Sequence, residues 1–232
     1  MERFVSISCL LFLNHFPAIC FCITVLPRYE SEAAPQRKFC CLLPAVGLLL
    51  AYRASDSRRS PKERSRASEL LEAMGPRMAV TAGLSADWGS ECRKLVSTFD
   101  EEWHDPAKTQ AQVQSWIART RTLFHDGHIL AEAAEGQTLS RVATKALQNA
   151  PPVVYGNREK HFWHVGAKQE AVEVMAGMRA IWQLASERLQ AEFDDQGLPQ
   201  DSSSVTFFTS KFMMYCMHAA VSSYHLAWHV LG

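Results

Sequence analysis

Residues Ser85–Trp103 read SADWGSECRKLVSTFDEEW, and within them Trp88, Cys92, Leu95, Val96, Phe99 and Trp103 recur at steps that suit one helical face. Asp100, Glu101 and Glu102 fall mostly off that stripe. A period near 3.6 residues predicts an amphipathic helix opening at Ser85, because only a helix gathers those positions on one side. The segments after it carry the same signature. Asp105-Pro106 supplies an N-cap and a proline at the first helical position. Val113, Trp116, Ile117, Thr120, Leu123, Phe124, Gly127 and Leu130–Ala131 then line a second helix that Gly136 ends. A shorter helix is expected from Thr138 to about Ala150, with Leu139, Val142, Ala143 and Leu147 inward and Pro151-Pro152 stopping it. Val153–Asn157 is read as a loop. A long helix follows from about Arg158 to Asp194, marked by Met175, Met178, Trp182, Ala185, Leu189 and Phe193. Gly197-Leu-Pro199 breaks it, and Asp201 or Ser202 caps a last helix running almost to Gly232. With no alternating strand pattern and no internal repeat, the fold class expected is all-α, an antiparallel bundle or array of four to five helices.

The 232 residues carry 24 Lys/Arg and 24 Asp/Glu, and 47 % are hydrophobic. That composition excludes collagen-like and wholly disordered chains, and nucleic-acid binding driven by bulk positive charge. The zero balance is an average of unlike parts. Residues 1–78 hold 11 Lys/Arg and 7 Asp/Glu, whereas residues 79–232 hold 13 and 17. The division expected is therefore a leader, 1–78, targeting-like or disordered, and a helical domain, 79–232.

Within the leader, Phe4–Leu26 is almost wholly apolar between Arg3 and Arg28, the pattern of a secretory signal or a membrane anchor. A second apolar run, 39–52, has 14 residues and includes Pro44 and Gly47. It falls short of the roughly 20 residues that a spanning helix needs. Arg53–Arg66 follows with six basic residues, two acidic ones and four serines. Ser/Arg-rich, acid-poor stretches are typical of organelle transit peptides. An apolar signal followed by such a segment resembles the bipartite presequences of plastids acquired by secondary endosymbiosis. The alternative origin is translation starting at Met74 or Met78. Five of the seven cysteines (9, 20, 22, 40 and 41) lie in this leader, and Cys92 and Cys216 alone in the body give no disulfide framework and no metal knuckle.

The last predicted helix is chemically unlike the others. Phe212–Leu231 contains no Asp, Glu, Lys or Arg over 20 residues, enough by length for a bilayer. Lys211, Tyr215, His218, Ser222, His225 and His229 follow one another at helical steps and form one polar seam on an otherwise apolar surface. A core helix with a polar seam is the first reading, a membrane span the second. Imidazole is the commonest side-chain ligand of transition metals, so His218, His225 and His229 are the candidate cofactor residues, for haem or iron. His128-x-x-x-Glu132 adds a second candidate pair, giving His128, Glu132, His225 and His229 as a possible metal set. One HxxxE and one HxxxH in that order resemble hemerythrin-like bundles, although no HxxxxD segment follows His229. His218 with His225-Leu-Ala-Trp228 resembles the haem-proximal helix of the succinate dehydrogenase cytochrome b subunit, which would make His218 a haem ligand. The Gly-Ile-Arg of that family is replaced here by Ser222-Ser223-Tyr224. His125-Asp126 resembles the pair of HD phosphohydrolases without the remaining metal-binding residues. His161-Phe-Trp-His164 suits an interface or a lid.

The sequence holds no P-loop, GxGxxG, HExxH or GxSxG motif. These features predict a non-enzymatic helical subunit or interaction protein of an organellar (plastid or mitochondrial), membrane-associated complex. Protein partners are expected, no nucleic acid, and membrane contact through Phe4–Leu26 or Phe212–Leu231. The alternative is a haem- or iron-binding helical bundle, with oxidoreductase activity as its natural extension.

Overall fold

A computed structural model describes residues 30–99, 106–131 and 138–196. Among them the fold is all-α, with six α-helices and one small hairpin. Helix α1 (Glu30–Ser55) leads into α2 (Pro61–Ala73) and α3 (Pro76–Phe99). Helix α4 (Pro106–Thr120) continues as a π-helical segment, Arg121–His125. A 3-10 turn (His128–Leu130) precedes α5 (Leu139–Gln148). Strands β1 (Val153–Tyr155) and β2 (Arg158–Lys160) pair antiparallel, with Val154 opposite Glu159, and α6 (Ala167–Gln196) completes the described chain.

Local chemistry explains the boundaries. Helices α2, α3 and α4 all begin on proline, whose fixed φ suits the first turn and whose missing N–H leaves no donor unsatisfied there. Ser60 and Glu63 form a capping box on α2: the Ser60 hydroxyl accepts from the Glu63 N–H, and the Glu63 carboxylate accepts from the Ser60 N–H at 3.0 Å. The Ser60 hydroxyl also donates to that carboxylate at 2.9 Å; this bond first, then the one from the Ser60 N–H, with Arg59 nearby, holds the Glu63 carboxyl below the usual carboxylate range. Thr138 caps α5 by accepting from the Arg141 N–H.

Helix α3 carries two cores, one on each side. Val80, Leu84, Trp88, Cys92 and Leu95 face Val113, Trp116, Ile117 and Phe124 of the α4–π segment and Met175, Met178, Trp182, Ala185 and Leu189 of α6. Trp88 meets Phe124 edge-on with ring centroids 5.2 Å apart and Trp116 at 5.7 Å. Ala79, Ala82 and Ala86 face the other way, toward Phe39, Cys40, Leu43, Val46 and Leu50 of α1, Leu71 of α2, Leu147 of α5 and Tyr155 of β1. A Cβ on Gly83 would stand 2.3 Å from the Ser140 Cα, so α3 and the start of α5 touch backbone to backbone at that point. One turn on, Asp87 accepts from the Leu139 N–H (2.9 Å), the Ser140 N–H (2.8 Å) and the Ser140 hydroxyl (2.6 Å). A carboxylate from another helix thus satisfies the orphan donors at the start of α5.

Several boundaries differ from those the sequence predicts. Residues 30–78, assigned above to the leader, hold two helices and the first residues of α3, and from Phe39 on their buried apolar side chains share a core with residues beyond 79. The division at 78/79 therefore falls inside α3. Helix α1 runs through Pro44, and its inner face is buried. Packing along that face outweighs the roughly 3 kcal/mol an internal proline costs a helix. Helix α3 opens at Pro76 rather than Ser85. The expected loop and the start of the expected long helix are instead the hairpin, and α6 begins only at Ala167. Within that connection Phe162 is buried against Gly47, where a Cβ would lie 2.6 Å from the ring, while His164 pairs with Glu170 at 2.9 Å.

Candidate functional site

The second predicted helix does not run on to Gly136. Its regular part ends at Thr120, and for Arg121–His125 the chain takes π-helical geometry, in which N–H groups reach five residues back; the Asp126 N–H closes this segment on the Arg121 carbonyl at 2.9 Å. Thr120, fully buried, sits at the change of pitch. Its hydroxyl lies 2.8 Å from the Trp116 carbonyl, to which it donates, and accepts from the Trp182 indole N–H at 3.0 Å. A buried indole donor is thereby satisfied and α6 is locked to the π segment. Gly127 then takes φ +82°, which a side chain would resist, and the chain leaves the helix.

Beside the π segment lies an open groove of about 620 Å³, lined by Ile117, Arg121, His125, Trp182, Glu187 and Gln190 among others. His125 packs against Trp182 with centroids 5.0 Å apart, and its Nδ1 lies 2.9 Å from an Asp126 carboxylate oxygen. That hydrogen bond holds the Asp126 carboxyl below its usual range, with burial opposing it. The Arg179 guanidinium donates to the His125 carbonyl at 2.8 Å. Single π-helical turns are frequent at functional sites, and this one stands beside the His125–Asp126 pair. Among the described residues the groove's hydroxyl is that of Ser186, which donates to the Gln183 carbonyl at 2.9 Å.

Of the residues singled out from sequence, His128 is exposed on the 3-10 turn. Glu132, His218, His225 and His229 lie outside the described residues, as do Phe4–Leu26 and Phe212–Leu231. Among the described residues no group of three or more His, Cys, Asp or Glu is placed to hold a metal ion. The His125–Trp182 contact was beyond sequence reasoning, because it needs α6 to cross the π segment. The only local signal was His125-Asp126 itself.

The cysteines of α1 divide by face. Cys40 is buried, and burial, with the Asp87 carboxylate nearby, pushes its thiol up to about 12, so it remains protonated at neutral pH. Cys41 is exposed.

The outer side of α1 is the other conspicuous surface. Leu42, Leu48, Leu49 and Tyr52 are 54 %, 57 %, 43 % and 57 % exposed, although the same helix buries Phe39, Leu43, Val46 and Leu50. The helix is apolar on both sides, and among the described residues only one side is covered. Arg37–Ser55 is long and apolar enough, by length and composition, to cross a membrane.

No family model, curated protein or solved structure matches this chain.

Proposed function

We propose that the chain is a non-enzymatic helical subunit or interaction protein of a membrane-associated complex in an organelle, and that it works by presenting surface rather than by turning over a substrate. The observation that carries this reading is the uncovered apolar face of α1. Contiguous exposed apolar surface costs solubility and is characteristic of places where another molecule binds. The two-sided packing of α3 supports it, because α1 is held against α3 and α5 by a filled core and is presented as a fixed platform.

The test is fractionation of the tagged full chain from cells that express it naturally. The expected outcome is co-sedimentation with organelle membranes and migration on native gels far above the 26.1 kDa of one chain. Recovery only as a free monomer in the soluble fraction overturns the reading. An absorption spectrum of the same preparation tests the other function class. A Soret band that disappears in His218→Ala or His225→Ala would transfer the function to haem binding through the C-terminal histidines.

A further inference from the structure

The outer face of α1 is an ordered stripe. Cys41, Leu42, Ala45, Leu48, Leu49 and Tyr52 are all exposed, and their spacing places them along one side of the helix. The stripe is bounded by positive charge. Arg37 and Lys38 are exposed at its start, with Lys38 one turn before Cys41 and Leu42. At its far end Arg58, 78 % exposed, donates to the Tyr52 hydroxyl at 2.9 Å. Residues 37–66 carry eight Lys/Arg and two acidic residues, Asp56 and Glu63. Both acids are already engaged, Asp56 with Arg58 and Arg59, and Glu63 with Ser60 and Arg59. The charge presented around the stripe is therefore cationic.

We infer that this stripe docks α1 flat onto an anionic lipid bilayer, its leucines and Tyr52 entering the headgroup boundary and its flanking cations meeting lipid phosphates. An apolar helical face with basic flanks is the form of an interfacial helix. Two features select lying on the membrane over crossing it. The opposite face of α1 is packed against α2, α3 and α5, through Cys40, Leu43, Leu50 and Ala51 among others, so lipid reaches one side only. The exposed stripe from Cys41 to Tyr52 is about 16 Å long at 1.5 Å per residue, about half the roughly 30 Å of a hydrocarbon core. Charge selects lipid over a second copy of the chain, because pairing two such faces would bring like-charged rims together. This inference rests on the membrane-associated reading above and specifies what α1 contacts.

Cys41 stands on the stripe and Cys40, buried beside it, is a built-in control. The full chain is treated with a membrane-impermeant maleimide, and modification of Cys41 is followed by peptide mass spectrometry. The probes are vesicles of phosphatidylcholine alone, vesicles containing phosphatidylglycerol, and no vesicles. Docking predicts ready labelling without vesicles and with neutral ones, and severalfold slower labelling with anionic ones. High salt and the exposed-site variants Leu48→Glu and Leu49→Glu should restore labelling, with helicity by circular dichroism unchanged. Lys38→Gln should weaken vesicle affinity about fivefold, the loss expected for one cation at an anionic surface. Three results overturn the inference: equal labelling under all conditions, equal protection by neutral vesicles, and protection without any vesicle. In the last case, dependence on protein concentration would identify a second copy as the occupant, and independence a segment of the same chain. Unprotected Cys41 in a protein that still migrates in a large membrane complex removes lipid docking and leaves the subunit reading standing.

Discussion

The two sides of α3 solve the same packing problem with opposite materials. One side buries Trp88 among Trp116, Phe124 and Trp182, large rings that fill space between helices held well apart. The other presents Ala79, Ala82 and Ala86 to side chains of α1, α2 and α5, with Gly83 touching the α5 backbone. Size errors should therefore act with opposite sign. The aromatic side is vulnerable to removal of atoms, the small-residue side to their addition.

The largest expected effect is on the aromatic side. Trp88→Ala should lower unfolding free energy by about 3–5 kcal/mol in urea denaturation, through lost burial and the cavity left between Trp116 and Phe124. Hydrogen exchange on the same variant asks whether the two cores are one cooperative unit. Equal loss of protection in residues 39–51 and in α6 would mean that α3 couples them; loss confined to α6 would separate them.

Gly83→Ala comes next. A single methyl meets the Ser140 backbone, which cannot swing aside as a side chain could, so a loss of about 2–3 kcal/mol is expected despite the better helix propensity of alanine. A gain in stability there would show that α3 and α5 are not in close contact.

Asp87 tests the polar clamp of that same contact. Asp87→Ala should cost about 2 kcal/mol, since the N–H groups of Leu139 and Ser140 lose a charged acceptor. Burial raises the Asp87 carboxyl above its ordinary value, and the bonds from Ser140 and Leu139 only partly oppose this. A raised acid pKa means the folded chain binds the proton more tightly than the unfolded one. The stabilising contribution of this titration is full below the unfolded carboxyl value and is lost as pH rises through the folded one. Wild type should therefore gain stability relative to Asp87→Asn as pH falls from neutrality into the acid range. A constant difference across that range would show that Asp87 is not buried as described.

The smallest effect is the converse of Gly83. Gly177 lies exposed in α6, and a Cβ there meets nothing within 4 Å. Gly177→Ala should raise stability by about 0.5–1 kcal/mol through lower unfolded-state entropy and better helix propensity. A loss would reveal a neighbour on that face of α6.

The aromatic side was legible in the sequence, and the small-residue side was not. Trp88, Cys92, Val113, Trp116, Phe124, Met178, Trp182 and Leu189 stand at helical spacings and are all buried. Large apolar side chains advertise a buried face. Ala79, Ala82 and Ala86 do not, since alanine is common on any helix surface. The apolar spacing accordingly marks α3 only from Ser85, and a Ser/Arg-rich, leader-like composition masks the helices before it. Three-residue strands are too short to show alternation, so the hairpin was invisible too. Of the candidate site, His125-Asp126 was visible as a dipeptide, but its groove needed Trp182 and Glu187 from α6.

The sequence by itself determined the helical class, the large-residue core and the proline-led starts of α4 and, through Ser60-Pro61-x-Glu63, the chemistry available to cap α2. These depend on neighbours three or four residues away. Tertiary structure alone decided that residues 30–78 share a core with the rest, that Asp87 caps a helix far along the chain, and which apolar side of α1 is left uncovered. A helix apolar all round carries no mark of its exposed face. Only the positions of α2, α3, α5 and the hairpin determine which side their packing shields from water.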